Sequence, residues 1–171
     1  ILMLIVSKID YKVYMKKSNL ILIGCIALLI LVLIPGVGTV RNGSRSWFGI
    51  GSFGIQPSEF AKLGMIIFTS KYLSNNDKAM KNIKGILPIL ILTLTIFGLI
   101  MLQPDFGTGT ILVMSIIGIL FIAGLNIKFF IKLGVVGIVG IVGLIIAAPY
   151  RLSRILSFLN PWSDPLGSGF Q

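Results

Sequence analysis

Residues 86–125, ILPILILTLTIFGLIMLQPDFGTGTILVMSIIGILFIAGL, decide the fold of this chain. They contain two apolar blocks, Ile86–Leu102 and Thr108–Leu125, separated by the short polar connection Gln103–Gly107. A helix needs about 20 mostly apolar residues to cross the hydrocarbon core of a bilayer, and roughly 17 suffice. Each block therefore predicts one membrane-spanning helix, and the connection is predicted to lie at one membrane surface.

The same pattern extends over the rest of the chain. Further blocks predict spans at Leu20–Ile34, Phe60–Leu73 and Phe129–Ala148, and Ile1–Val6 resembles the tail of a preceding helix. The 171 residues are 56% hydrophobic with a mean hydropathy of +1.01, which is typical of membrane proteins. We predict an all-α polytopic membrane protein, with one membrane domain over residues 1–171 that contains about five full transmembrane helices and a partial one. Because the chain begins inside an apolar run and stops just after a loop, we expect truncation at both ends.

Basic residues lie mostly in the connections between the apolar blocks. The chain has 15 Lys and Arg against 5 Asp and Glu, a net charge of +10. In a soluble protein this excess would suggest a nucleic-acid partner, but charges clustered between apolar blocks indicate loops at a bilayer surface, so no nucleic-acid partner is expected. Lysine-rich connections are retained in the cytoplasm. The side predicted to be cytoplasmic carries Lys8, Lys12, Lys16, Lys17, Lys71, Lys78, Lys81, Lys84, Lys128 and Lys132.

The opposite side, predicted to be external, carries all four arginines and three of the five acids. These residues are Arg41, Arg45, Arg151, Arg154, Glu59, Asp105 and Asp164. Such residues can simply anchor helix ends at the lipid headgroups, and for any single residue that explanation is the better one. The grouping of three acids on the lysine-poor side favours a functional site there.

Two absences limit the chemistry of the chain. The sequence contains no His, and its one cysteine, Cys25, lies inside an apolar run, where it is interpreted as a small hydrophobic residue. The chain by itself therefore cannot supply Ser-His-Asp, Cys-His or His-ligated zinc chemistry, or an internal disulfide framework. Catalysis would depend on carboxylates, Lys, Arg or lipid phosphates.

Residues 41–59, RNGSRSWFGIGSFGIQPSE, combine arginines, glycines and aromatic residues in one connection. Arg41 and Arg45 are placed to bind an anionic phosphate through charge-assisted hydrogen bonds. Trp47 and its aromatic neighbours can lie at headgroup depth. An aromatic belt without a ligand explains the same pattern equally well.

The end of this segment predicts the start of a helix. Pro57 is placed in the first turn, and an acid at Glu59 is favoured by the helix dipole. Glu59 and Lys62, three residues apart, predict an ion pair on one helix face. A structural ion pair accounts for both residues, yet a charge pair just inside the membrane requires a polar interior.

Two further connections carry acids. In residues 102–110, LQPDFGTGT, Pro104 is predicted to open a helix with Asp105 in its first turn, either as a cap or beside an external cavity. In residues 160–171, NPWSDPLGSGFQ, Asp164 lies in a turn stiffened by prolines. Physical reasoning alone favours a turn-forming role for Asp164, and a carboxylate facing an external cavity is the alternative.

Three segments together, residues 41–63, 102–110 and 160–171, closely resemble stretches of the FtsW, RodA and SpoVE family, in the same order and over nearly the whole chain. The resemblance implies a peptidoglycan glycosyltransferase that polymerises lipid II at the outer face of the bacterial cytoplasmic membrane, in division, elongation or sporulation. The implied partners are a class B penicillin-binding protein and other divisome or elongasome proteins. Family members cross the membrane roughly ten times, each crossing taking about 20 residues, so isolated activity of this incomplete domain is not expected.

The resemblance also implies roles for individual residues. Asp164 matches the catalytic aspartate of the family and would act as a general base on a sugar hydroxyl. The cations that would stabilise the departing lipid pyrophosphate are Arg41, Arg45, Lys62 and Arg154. Trp47, Glu59 and Asp105 complete the candidate substrate-binding residues. A divalent cation, Mg²⁺ or Mn²⁺, is a candidate cofactor, and no organic cofactor is expected.

Two other functions fit the same architecture. A flippase that moves lipid II across the bilayer would need polar groups through the bilayer depth, whereas the helices from Ile86 onward are nearly free of ionisable groups below the external face. A scaffold that only holds a penicillin-binding protein would leave the external acids without a chemical role.

Overall fold

The computed structural model describes residues 8–41, 44–49, 54–76 and 83–146. This part of the chain contains five α-helices and one β-hairpin. The elements are α1 (Tyr11–Leu33), β1 (Thr39–Arg41), β2 (Ser44–Trp47), α2 (Pro57–Asn75), α3 (Ile83–Met101), α4 (Phe106–Ile122) and α5 (Ile127–Ile146). A helix is present at each of the five predicted blocks, so the prediction of a helical fold is confirmed. The predicted helix tail at Ile1–Val6 lies outside the described residues.

Helix α1 begins nine residues earlier than the apolar block predicts, at Tyr11 instead of Leu20. Asp10 caps its start, because the Asp10 side chain accepts a hydrogen bond from the backbone N–H of Lys12 at 2.9 Å. Lys12 and Lys16, predicted to lie in a connection, therefore belong to the first turns of the helix. The prediction was wrong because lysine is a good helix former whose ammonium group can reach water from a helix end.

Small side chains allow α1 and α2 to approach closely. A Cβ added at Gly64 would lie 3.2 Å from Sγ of Cys25, and Ala61 on the same helix is completely buried. The Cys25 thiol donates a hydrogen bond to the carbonyl oxygen of Phe60 at 3.4 Å. Small residues at such an interface strengthen van der Waals packing where the hydrophobic effect is weak, as in a bilayer.

Helices α3 and α4 form an antiparallel pair joined by four residues. A Cβ added at Gly109 would lie 2.7 Å from Cε of Met101 and 3.0 Å from the ring of Phe97, so glycine permits this contact. The buried residues of α4 follow a helical period: Gly109, Leu112, Ile116 and Leu120. Large apolar side chains also cover the exposed surface, as at Leu94 on α3. A helix that is apolar on all sides is typical of a membrane span.

Length and composition agree with this interpretation. Among the described residues, Tyr11–Leu33 and Lys84–Met101 are long and apolar enough to cross a membrane, and Phe106–Ile122 is a shorter apolar helix. The compact unit that contains α1 to α4 ends at Asn126, and α5 belongs to a second unit that begins at Ile127. The assignment of residues 1–171 to one membrane domain stays a prediction.

The β-hairpin was not predicted. Strands β1 and β2 are antiparallel, with Val40 opposite Arg45 and a bulge between Thr39 and Val40. The Thr39 hydroxyl donates a hydrogen bond to the carbonyl oxygen of Trp47 at 3.0 Å. Gly38 precedes the hairpin in a position where an added Cβ would clash with the carbonyl oxygen of Val32. The hairpin therefore packs tightly on the end of α1.

Candidate functional site

The packing of α1 to α4 separates the charged residues between two ends of the unit. At one end, Nζ of Lys71 near the end of α2 donates a hydrogen bond to Oδ1 of Asn19 at 3.2 Å. The hydroxyl of Tyr72 there donates to the carbonyl oxygen of Gly85 at the start of α3, at 2.9 Å. This lysine-rich end carries Lys12, Lys16, Lys17, Lys71 and Lys84. At the opposite end, here called the polar end, lie the hairpin, the start of α2 and the connection from α3 to α4.

Four polar residues of the polar end, Ser44, Gln56, Gln103 and Asp105, form what we call the polar cluster. The Ser44 hydroxyl donates a short hydrogen bond to the backbone carbonyl of Gln103. The Gln103 side chain is completely buried, and its Nε2 donates to the carbonyl oxygen of Leu29 at 3.5 Å. These contacts connect the hairpin, the turn after α3 and the last turns of α1.

Gln103 has one atom without a partner. Its side-chain Oε1 is buried and accepts no hydrogen bond among the described residues. A buried amide oxygen without a donor costs free energy, so such an atom marks a place where a donor can be gained. Sequence reasoning missed Gln103 and Ser44, because a glutamine and a serine in connections look like ordinary surface residues.

Asp105 accepts two hydrogen bonds within the polar end. Its Oδ1 accepts a hydrogen bond from the backbone N–H of Thr108 at 3.2 Å, and its Oδ2 accepts one from Nε2 of Gln56 at 2.7 Å. Asp105 is the N-cap of α4, which begins at Phe106. The prediction of Asp105 as a cap is therefore confirmed, whereas the prediction that Pro104 opens the helix was wrong, because α4 begins two residues later. An aspartate side chain reaches the third helical N–H only from the cap position.

The role of Asp105 in the site follows from these bonds. Both carboxylate oxygens already have a protein donor, so Asp105 holds the start of α4 against the start of α2. This positions the first turn of α2, which carries Glu59. A direct contact between Asp105 and substrate stays a prediction.

The predicted ion pair between Glu59 and Lys62 is confirmed. Nζ of Lys62 lies 2.8 Å from Oε1 of Glu59. The Lys62 side chain is only 15% exposed, whereas that of Glu59 is 54% exposed. Pro57 occupies the first turn of α2, as predicted. The ammonium group of Lys62 is thus paired with a carboxylate that is itself half-exposed, and the polar interior stays a prediction.

The hairpin presents its side chains in alternation, as strands do. Ser44 and the buried Ser46 lie on one face, and their hydroxyls are 2.9 Å apart. Arg45 and Trp47, both half-buried, belong to the other face. Among the described carboxylates, none forms an ion pair with Arg45. The Arg45 guanidinium therefore retains hydrogen-bonding capacity for an anion.

Three predicted site residues cannot be placed by their side chains. The backbone of Arg41 lies in β1 opposite Ser44. Asp164 and Arg154 lie outside the described residues. Their roles stay predictions. The structure thus brings Arg45, Trp47, Glu59, Lys62 and Asp105 to the same end of the unit.

The described residues do not fit a metal site by themselves. Among them, no three His, Cys, Asp or Glu side chains come close enough to hold a metal ion. Glu59 and Asp105, the acids of the polar end, already have Lys62 and Gln56 as partners. The divalent cation therefore stays a prediction.

These features define an integral membrane protein built from apolar helices, with polar and charged side chains gathered at one end of the bundle. The chain belongs to the FtsW, RodA and SpoVE family of cell cycle proteins, whose family description matches residues 1–171. The resemblance and the polytopic helical membrane fold predicted from the sequence are both confirmed.

Relatives and a solved structure agree with this assignment. The chain is 52% identical over 172 residues to stage V sporulation protein E of Bacillus subtilis. The matched region covers 100% of this chain and 47% of that protein. It is 37% identical over 172 residues to the probable peptidoglycan glycosyltransferase FtsW of Legionella pneumophila, covering 100% and 44%. The chain spans about half the length of the curated relatives it matches.

The structural similarity covers nearly all of this chain. The protein superimposes, with a TM-score of 0.77 and 30% identity, on a chain in a solved structure of a peptidoglycan synthase complex that coordinates polymerization and crosslinking. The match covers 98% of this chain and 49% of that chain.

Proposed function

We propose that the protein acts as a peptidoglycan glycosyltransferase that polymerises lipid II at the outer face of the bacterial cytoplasmic membrane. The observation that carries this proposal is the match of the family along residues 1–171, which includes relatives named as probable peptidoglycan glycosyltransferases. The polar end supports it, since it gathers cations and acids beside apolar helices. A reaction between two lipid-linked, anionic substrates requires such a combination.

In the proposed reaction, Asp164 accepts the proton of the GlcNAc 4-hydroxyl of one lipid II molecule. The hydroxyl oxygen then forms a bond to the anomeric carbon of MurNAc in the other chain. The bond from that carbon to the pyrophosphate oxygen breaks, and undecaprenyl pyrophosphate leaves. The family resemblance of residues 160–171 supports this role for Asp164.

The leaving group carries negative charge that develops as the bond breaks. Arg45 and Lys62 at the polar end are the described cations suited to stabilise it, together with Arg41 and Arg154. Lys62 is held by Glu59 at 2.8 Å and is largely shielded from solvent, which strengthens its interaction with an anion. The partially exposed Glu59 keeps that ammonium oriented before substrate arrives.

A class B penicillin-binding protein is the proposed partner, along with other divisome or elongasome proteins. Support comes from the structural similarity to a chain of a peptidoglycan synthase complex that coordinates polymerization and crosslinking. Because the chain spans about half of its relatives, the partner contact is proposed for the full-length protein.

The test is a polymerisation assay with fluorescent lipid II, using the full-length protein and its penicillin-binding partner. Asp164→Asn and Asp164→Ala are expected to abolish glycan product, because neither side chain can accept the proton. Asp10→Asn serves as the matched control: it makes the same chemical change at the exposed cap of α1, where Asn caps as well as Asp. This control is expected to polymerise like the wild type.

Other results would redirect the proposal. Undiminished glycan product from both Asp164 variants would defeat the assignment of the base. Lipid II translocation without polymer from the wild-type protein would favour a flippase. Polymer made equally well by the partner alone would favour a scaffold.

A further inference from the structure

The turn between α3 and α4, residues 103–105, holds two parts of the polar end that are distant from it in sequence. The Ser44 hydroxyl, at the start of β2, donates a hydrogen bond to the backbone carbonyl oxygen of Gln103. Nε2 of Gln56, the residue before α2, donates a hydrogen bond to Oδ2 of Asp105 at 2.7 Å. Both ends of the segment between these two donors are therefore attached to one short turn.

The attached segment is also closed on itself. Phe48, just after β2, and Ile55, just before Gln56, exchange two backbone hydrogen bonds, at 2.8 Å and 2.7 Å. Strand β2 also packs against α2 directly. The hairpin and the start of α2 are thus joined to each other as well as to the turn, so their relative placement depends on all of these contacts.

The turn is itself fixed in the bundle. The Gln103 side chain is completely buried, and its Nε2 donates to the carbonyl oxygen of Leu29 on α1 at 3.5 Å. Asp105 caps α4 by accepting a hydrogen bond from the backbone N–H of Thr108 at 3.2 Å. Groups that position a site are effective when packing and hydrogen bonds hold them in turn. The turn is therefore suited to locate the hairpin and α2.

Each of the two donors lies next to a cation of the proposed reaction. Ser44 directly precedes Arg45, and because side chains alternate along a strand, the bond from Ser44 to the turn directs Arg45 to the opposite face. Gln56 directly precedes the first turn of α2, where Glu59 holds Nζ of Lys62 at 2.8 Å. The two hydrogen bonds to the turn thus orient the elements that carry both cations.

We infer that Ser44 and Gln56 are positioning residues of the glycosyltransferase site, which set the placement of Arg45 and Lys62 without touching substrate. The inference rests on the proposed function, in which these cations stabilise the departing pyrophosphate. Such stabilisation depends on groups that are already in place when the charge develops. Displaced cations therefore slow bond breaking more than they weaken the binding of lipid II.

The test is steady-state kinetics with fluorescent lipid II, using the full-length protein and its penicillin-binding partner. Ser44→Ala and Gln56→Ala are each expected to lower kcat about tenfold or more, since a displacement of about 1 Å can cost roughly a hundredfold. KM is expected to change by less than about threefold, because the cations and the lipid-binding surfaces are retained. A fall in kcat at nearly constant KM separates positioning from substrate binding.

Two matched controls remove similar hydrogen bonds that do not involve the turn. Thr39→Val removes a hydroxyl that donates to the carbonyl oxygen of Trp47 at 3.0 Å, within the hairpin. Asn76→Ala removes a side-chain amide that donates to the carbonyl oxygen of Tyr72 at 2.8 Å, at the other end of α2. Both controls are expected to keep the wild-type kcat.

Double variants test whether the two residues act through the cations. In an Arg45→Gln background, Ser44→Ala is expected to lower kcat no further, because the group it positions is already gone. Gln56→Ala is expected to have no further effect in a Lys62→Gln background. Ser44→Thr keeps the hydroxyl and is expected to retain the wild-type kcat.

Folding is checked by helical circular dichroism for every variant. If an alanine variant loses its helical signal, Ser44→Cys or Gln56→Met takes its place. These side chains are close in size to the originals, and the first donates a hydrogen bond weakly and the second not at all. The same fall in kcat is expected from them.

Three results would overturn the inference alone, with the wild type still making polymer. The first is an unchanged kcat in both Ser44→Ala and Gln56→Ala. The second is a loss of kcat that is equally large in the wild-type and cation-variant backgrounds, which would show a general effect on structure. The third is a rise in KM that exceeds the fall in kcat. Absence of polymer from the wild type would instead contradict the proposed function, and the inference with it.

Discussion

Nε2 of Gln56 donates a hydrogen bond to Oδ2 of Asp105 at 2.7 Å, across 49 residues of sequence. Gln56 is the residue just before α2, and Asp105 is the cap of α4. One hydrogen bond therefore joins the starts of two helices at the polar end. Because the other carboxylate oxygen caps α4, a single side chain orders both helix ends.

Replacing Asp105 with alanine is expected to lower stability by about 1–2 kcal/mol, the range for loss of a helix cap, and to free Gln56. The midpoint of thermal unfolding in detergent measures this change. Asp10→Ala removes the exposed cap of α1, for which no long-range hydrogen bond is described, and should lower the midpoint less. Equal shifts in the two variants would show that the bond to Gln56 adds nothing.

The ion pair at the start of α2 predicts an asymmetry. Glu59→Gln leaves Lys62, whose side chain is mostly buried, without its carboxylate, whereas Lys62→Gln leaves an exposed carboxylate that water can solvate. Glu59→Gln should therefore lower the unfolding midpoint more than Lys62→Gln does. The double variant should recover part of the loss. A larger effect of Lys62→Gln would contradict the burial that the structure assigns to that side chain.

The contact between Gly38 and α1 predicts a steric effect. A methyl group at position 38 would meet the carbonyl oxygen of Val32 and Cγ of Arg45, so Gly38→Ala should cost about 1–3 kcal/mol, as overpacking does. Gly98→Ala is the control, because nothing lies within 4 Å of a Cβ added there. The control should be neutral or stabilising by up to about 1 kcal/mol, since alanine is the better helix former. If Gly38→Ala and Gly98→Ala lowered the unfolding free energy equally, the close contact between Gly38 and the end of α1 would be contradicted.

The orientation in the membrane can be tested by cysteine labelling in intact cells. In a Cys25→Ala background, Ser168→Cys near Asp164 is expected to react with a membrane-impermeant maleimide from outside. Ser74→Cys, at an exposed position near the end of α2 on the lysine-rich side, is expected to react only after the cells are opened. Labelling of Ser168→Cys only in opened cells would place Asp164 on the cytoplasmic side, whereas the reaction is proposed for the outer face, and would contradict the proposed mechanism.

Local patterns predicted the features that depend on nearby residues. The Glu59–Lys62 pair was predictable because residues three apart meet on any helix. The start of α2 was predictable because Pro57 favours a first turn. The start of α1 was misjudged because hydropathy marks the part of a helix inside the membrane, whereas the hydrogen-bonded helix continues through the lysines to the cap at Asp10.

The hairpin had a sequence signal that was missed. Asn42 and Gly43 stand between the residues that form β1 and β2, and Asn-Gly is the strongest short-range signal for a two-residue hairpin turn. The signal was overlooked because the surrounding arginines and aromatics were interpreted as an interfacial loop. The contact between Ser44 and Gln103 had no such signal, since it joins two connections 59 residues apart.

The sequence by itself determined the apolar helices, the distribution of Lys and Arg between their ends and, through three motifs, the family. Each of these properties is set by a short stretch of sequence, because burial in lipid depends on the composition of that stretch and on the spacing of its apolar residues. Only the tertiary structure decided which polar groups meet: Gln56 with Asp105, Ser44 with Gln103, and Asn19 with Lys71. Such pairs depend on the direction and rotation of packed helices, which small residues such as Gly64 and Gly109 permit but do not specify.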